Sequence, residues 1–187
     1  MVRENDDSIA VSLEKAAALY SVAVAHTVVP SEPGFYSIFV DSPDSLPESF
    51  GGHLREKHSS LIYVGIASSS LYDRLIEQDL RHKHPSTFFR GIGAILGFRP
   101  SPGSLVGKRN QNNYIFSPED TCAIIAWNQE HLSVRFVAID TDAFPRAEKN
   151  AIVRNNPILN TTHNPDRLQA LADLRLECRS VARQRPA

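Results

Sequence analysis

The chain has 187 residues, 42% of them apolar and 22% charged, with a formal net charge of −1. This is the composition of an ordinary globular chain long enough to bury a core in one domain, and the charge balance speaks mildly against a nucleic-acid partner unless basic residues cluster locally. Two distant cysteines, Cys122 and Cys178, have no neighbouring Cys or His, which disfavours a disulfide framework or a zinc site and suits a reducing compartment.

Residues 1–7 are polar and carry Arg3, Glu4, Asp6 and Asp7, unlike a signal peptide. Val11 to Ala25 reads as a helix, with Leu13, Ala16, Ala17 and Tyr20 at helical spacing. The apolar stretch from Ala16 to Val29 is interrupted and too short to span a bilayer, so the expectation is a cytoplasmic, unanchored protein. Gly34 to Val40 reads as a strand. Residues 41–60, rich in Pro, Gly and Ser, read as a loop insertion. Leu61 to Ile66 is a second strand, and Ser68 to Ser70 can cap the helix expected from Leu71 to His82.

Phe88 to Phe98 suggests a shorter, glycine-weakened helix, and residues 99–113 a polar loop. Ser117-Pro118-Glu119-Asp120 opens a helix that runs to about His131. Leu132 to Ile139 alternates like a strand. Helices are expected from Pro145 to Asn155 and from Pro165 to about Arg183. Trp127 and Phe136 read as core. The expectation is a single α+β domain over 1–187, with a small three-stranded antiparallel or mixed sheet flanked by helices. Residues 1–30 would form an N-terminal helical extension, 34–160 the core and 164–185 a C-terminal helix.

The chemistry-bearing residues fall in a fixed order. Gly34-Phe35-Tyr36 and Tyr63-Val64-Gly65 lie on the two strands. Arg74 follows on the next helix, three residues after Leu71, and Glu148-Lys149-Asn150-Ala151-Ile152 leads to Pro157 and Asn160. In this order the sequence resembles the GIY-YIG nuclease superfamily, whose repair nucleases carry Glu-x-Asn-x-Leu-Ile followed by Pro-x-Tyr-Asn. The resemblance spans about Gly34 to Asn160 and implies hydrolysis of nucleic-acid phosphodiesters, most readily of DNA, with Mg²⁺ or Mn²⁺. It implies Tyr36 as general base or water-orienting group, Tyr63 as a positioner and Arg74 as a brace for the phosphate. Glu148 would be the metal ligand, and Asn160 would tie the chain after the glutamate helix to the sheet. Gly34, Gly65 and Asn150 belong to the motif.

The residues support the same chemistry. Phosphodiester hydrolysis needs an activated water and positive charge at the transition state. One carboxylate suffices for Mg²⁺, which keeps most of its waters, and a guanidinium is a permanent forked cation. Residues 71–110 hold seven basic side chains against three acidic ones, and Arg81, Lys83, Arg90, Lys108 and Arg109 are candidates to meet a polyanion.

The chain departs from the family pattern in places. The middle apolar residue of the first motif is Phe35, and 26 residues separate Tyr36 from Tyr63, which makes 41–60 an insertion. Gln78 stands where the family often has His or Tyr, and His82, one turn further, is an alternative proton acceptor. Singly, each site residue has a plain explanation, such as a core tyrosine, a solvated helix arginine or glutamate, or a turn asparagine. Their joint order is what carries the functional expectation. The alternatives are a non-catalytic nucleic-acid-binding or protein-interaction module on the same fold, and an unrelated α+β domain in which these residues do not converge.

Overall fold

The computed structural model describes residues 18–139 and 144–185. The two aromatic, β-branched segments form strands β2 (Gly34–Val40) and β3 (Leu61–Ala67), as their apolar content requires. They pair antiparallel, with Gly34 opposite Ala67 and Tyr36 opposite Gly65. β4 (Leu132–Ala138) pairs antiparallel with the other side of β2. A fourth, two-residue strand, β1 (Tyr20–Ser21), pairs with Val134 and Ser133 of β4. The sheet order is β1-β4-β2-β3, so the sheet has four strands where three were expected, and it is wholly antiparallel.

Tyr20 therefore lies on a strand and stacks on Phe136 at 5.6 Å, instead of continuing a helix. Only α1 (Val22–Ala25) of the expected N-terminal helix is seen, and residues 11–17 of that expectation lie outside the described residues. Trp127 and Phe136 are partly buried against the core.

The segment 41–60 corrects a second expectation. It contains a 3₁₀ turn (Pro43–Ser45) and a helix, α2 (Glu48–Glu56), in place of a loop. Leu46, Phe50 and Leu54 sink into the main core, so the insertion is a packed part of the domain. Its glycines concealed this: Gly51 lies so close to the Pro43 carbonyl that a side chain there would collide with it.

After β3, residues Tyr72–Leu80 form a π-helix. Its start is tied down by Leu71 N–H to the Glu32 carbonyl and by Asp73 N–H to Ser70 Oγ at 3.1 Å. Its end shows the i→i−5 bond directly, from Arg81 N–H to the Ile76 carbonyl at 3.0 Å. The remaining helices are α3 (Thr87–Ile95), α4 (Pro118–His131), α5 (Phe144–Asn155) and α6 (Gln169–Arg183). Ser117 Oγ caps α4 by accepting from Asp120 N–H.

Two sides of the sheet are covered differently. Tyr36 and Ile38 join the core that holds Leu75, Ile76 and α3. Phe35 packs with Ala147, and Val64 with Ala151 and Ile152, which seats α5 on the opposite face. A Phe50→Ala change should destabilise the fold by about 3–5 kcal/mol through the cavity it leaves. Urea unfolding followed by circular dichroism measures this; a loss near zero would mean that α2 is an independent appendage.

Candidate functional site

Asp79 is wholly buried and receives three side-chain donors. The Tyr36 hydroxyl donates to Oδ2. Arg74 Nη1 donates to Oδ1 at 2.9 Å, and Ser86 Oγ donates to the same oxygen at 2.6 Å. The π-helix makes this possible. Arg74 and Asp79 are five residues apart, a separation that α-helical winding would turn onto different faces and that i→i+5 winding stacks one above the other.

The electrostatics follow from burial. Loss of solvent raises the Asp79 pKa, against the pull of Arg74, Ser86 and Tyr36. Burial, followed by the Asp79 charge, holds the Tyr36 pKa well above its ordinary value. Burial also opposes the charge on Arg74, but Tyr36, Asp79, Tyr63 and Glu148 outweigh it and raise the Arg74 pKa, so the guanidinium stays charged.

Tyr63 lies beside this group, with its ring 6.2 Å from that of Tyr36 and 5.3 Å from Phe88. Burial, then Asp79, raises its pKa as well. The glycines of the two motifs are explained by close approach. A Cβ at Gly65 would fall on the Tyr36 ring, and one at Gly34 would meet the Val137 carbonyl and Leu71.

Glu148 comes to the cluster from α5 and is half-buried. Burial raises its pKa, opposed by the nearby Arg74 guanidinium and by His163. Among the described residues no hydrogen bond or ion pair reaches its carboxylate. Asn150 is half-buried two residues further along α5. Asn160 is buried at the edge of the sheet, where its Oδ1 accepts from Val64 N–H and its Nδ2 donates to the Val64 carbonyl, both at 2.9 Å. Asn164 steadies that turn by donating to the carbonyls of Pro157 and Asn160.

Arg74 also lines an open cleft of about 320 Å³, together with Ser68, Ser70, Asp73, Gln78 and His84. The Gln78 amide is tied to the Pro85 carbonyl at 2.7 Å. His82 lies elsewhere: it stacks on Phe89 at 4.2 Å and lines a different cleft with Lys108 and Arg109. Burial lowers its pKa to about 4. The suggestion that His82 replaces the missing acceptor is therefore not supported, and His84 is the histidine on the Arg74 cleft. Arg81 and Lys83 both pair with Glu77, and Arg90 is buried beside the Tyr114 ring, while Lys108 and Arg109 are exposed.

A family model described as the GIY-YIG catalytic domain matches residues 34–180. The chain belongs to the GIY-YIG nuclease superfamily. No curated protein and no solved structure matches it. The match extends past Asn160 through most of α6. Membership indicates a nuclease and a nucleic-acid substrate, and GIY-YIG nucleases are generally divalent-metal dependent.

The donor set fits a magnesium-type ion in a limited way. Among the described residues no group of three or more His, Cys, Asp or Glu could hold a metal. The single carboxylate of Glu148, without a bonded partner, suits an ion that keeps most of its waters. No helix among the described residues is long and apolar enough to cross a membrane.

Sequence reasoning missed Asp79 and Ser86. Asp79 did leave a signal, because it lies four residues after Leu75, on the apolar face of its helix, where an acid demands a partner.

Tyr36, Tyr63 and Tyr114 all have pKa values raised by burial. Unfolded tyrosine ionises near pH 10, so above that pH the unfolded chain binds fewer protons and stability must fall as pH rises. Alkaline titration at 295 nm should show three of the five tyrosines ionising only as circular dichroism reports unfolding. Tyr36→Phe should reduce that late group to two. Ionisation of all five before unfolding would contradict the buried arrangement.

Proposed function

We propose that the protein is a divalent-metal-dependent endonuclease that hydrolyses phosphodiester bonds in DNA. The observation that carries this reading is the electrostatic coupling of Tyr36, Tyr63, Arg74 and Glu148, from four separate elements, into one group beside an open cleft. Non-catalytic binding would not require a half-buried carboxylate to be brought to a half-buried arginine.

Each residue has a role in this reading. Arg74 is held by Asp79 through one nitrogen while its side chain remains 28% exposed, so the rest of the fork is available to a phosphate. Tyr63 stays protonated and can donate to a phosphate oxygen or position the water. Tyr36 is fully buried, and its hydroxyl already donates to Asp79, so we assign it the positioning of Asp79 and not the role of general base. Glu148 would hold the metal, and Asn160 fixes the segment that follows α5 against β3. When bound, the ion would lower the pKa of a coordinated water and polarise the phosphate. Lys108 and Arg109 would meet the substrate backbone. The residues divide as one domain, 1–187, built on a GIY-YIG core.

Supercoiled plasmid should be nicked with Mg²⁺ or Mn²⁺ and spared with chelator. Arg74→Ala and Glu148→Ala should each lower the rate by about 10²-fold or more, as losing a transition-state contact does. Binding without cleavage by the wild-type protein, retained in both variants, would replace this reading with the non-catalytic module. Within the enzyme reading, Asp79→Asn should lower the rate through Arg74 while sparing substrate affinity. An unchanged rate would remove Asp79 from the machinery.

A further inference from the structure

A second cluster of cations lies outside the Asp79 group. Thr87, Arg90, Asn112, Tyr114, Arg175 and Arg179 line a cleft of about 210 Å³ that contains no acidic residue. Arg90 is only 8% exposed, and its Nη1 is buried with no hydrogen-bond partner. Its carbon Cζ lies 5.8 Å from the Tyr114 ring centroid. Arg175 donates to Thr161 Oγ1 at 3.1 Å and to the Leu159 carbonyl at 3.2 Å. Arg179 reaches Asn112 Oδ1 at 3.5 Å. Among the described residues none of the three guanidinium groups bonds to a carboxylate.

Three arginines gathered without a counter-charge are unfavourable, because buried charge needs a partner. Burial, aggravated by Arg90 and Arg179, lowers the Arg175 pKa. The backbone nonetheless makes room for them. A Cβ at Gly91 would come within 2.8 Å of Arg175 Nη2 and 2.9 Å of Leu159 Cδ2, so α3 carries a glycine in its interior where alanine would be the better helix former.

We infer that this cleft binds a phosphate group, and that the group belongs to the nucleic-acid strand whose neighbouring phosphodiester occupies the Arg74 cleft. The ligand class follows from the donor set: forked cations suit a phosphate, and the open mouth suits a group carried on a chain. The source follows from position. Asp79 accepts from both Arg74 and Ser86, and the residue after Ser86, Thr87, lines the arginine cleft, so one step of backbone links the group that holds Arg74 to this cleft. The strand assignment rests on the nuclease reading, whereas phosphate recognition does not.

The test uses the full chain and fluorescein-labelled duplex DNA in EDTA, which separates binding from cleavage. Arg179→Gln, on a half-exposed residue, should weaken affinity roughly tenfold and reduce the slope of log affinity against log salt by about one. Arg90→Lys should weaken affinity despite keeping its charge, because the fork is lost. Arg55→Gln is the charge-matched control, since Arg55 lies on α2 and is already paired with Asp44 and Glu48. Thermal melts with inorganic phosphate form the second arm. If phosphate raises the wild-type melting temperature but not that of Arg179→Gln, while DNA affinity is unchanged, the site takes a free anion and the strand assignment is overturned. If neither DNA affinity nor the phosphate effect changes in Arg179→Gln and Arg90→Lys, the site itself is overturned. Plasmid cleavage with Arg179-insensitive DNA binding would remove the strand assignment and leave the nuclease standing. Arg179-dependent binding without wild-type cleavage would do the reverse.

Discussion

A carboxylate with no access to water must be satisfied by its neighbours or it will not stay folded inside. Asp79 meets this constraint with donors from three different parts of the chain: Tyr36 from β2, Arg74 from the π-helix and Ser86 from the turn before α3. Ser86 also caps α3 by accepting from Phe89 N–H at 3.0 Å. One buried charge thus fixes the orientation of a strand tyrosine, the direction of an arginine and the start of a helix. Losing any one donor would leave the others pointing at an under-satisfied anion, so the pieces of the site are held as a unit.

The charge count around Arg74 bears on the chemistry. Its guanidinium faces the carboxylates of Asp79 and Glu148, so its positive charge is shared between two acids before any phosphate arrives. A phosphodiester entering such a site would meet repulsion unless a further cation accompanied it. The divalent ion proposed for the site would supply that charge. The wider surface adds less positive charge than the sequence suggests, because Glu77 pairs with both Arg81 and Lys83.

Much of this was legible in the sequence. The strands at 34–40, 61–66 and 132–139 were visible because aromatic and β-branched residues repeat there between turn residues, and the helix after Ser117 because its cap is explicit. The site motifs were visible as ordered residue types, and their glycines prove to be steric necessities under Tyr36 and against Val137. What stayed hidden depends on tertiary contact. The α2 helix was concealed by Gly51, whose small size serves the packing against Pro43. The two residues of β1 are too few to show any period. The π-helix has no distinct pattern of apolar residues, so α-helical counting singled out Gln78 when i+5 winding presents Asp79 to Arg74. Likewise His82 sits in a left-handed conformation, with φ of 55°, which turns it off the helix face that periodic counting assigns it.

Asn160 has an effect that reaches beyond the site. β3 is an edge strand, and an edge strand offers unpaired N–H and carbonyl groups to any chain that passes. A single side-chain amide satisfies both backbone groups of Val64, and Leu159 N–H takes the Ile62 carbonyl beside it. The turn after α5 thereby occupies the place of a fifth strand without being one. The opposite edge, β1, is only two residues long. Along the stretch from Ile62 to Val64 the β3 edge is therefore already occupied, and the same asparagine that anchors the glutamate segment closes that stretch to pairing with another strand.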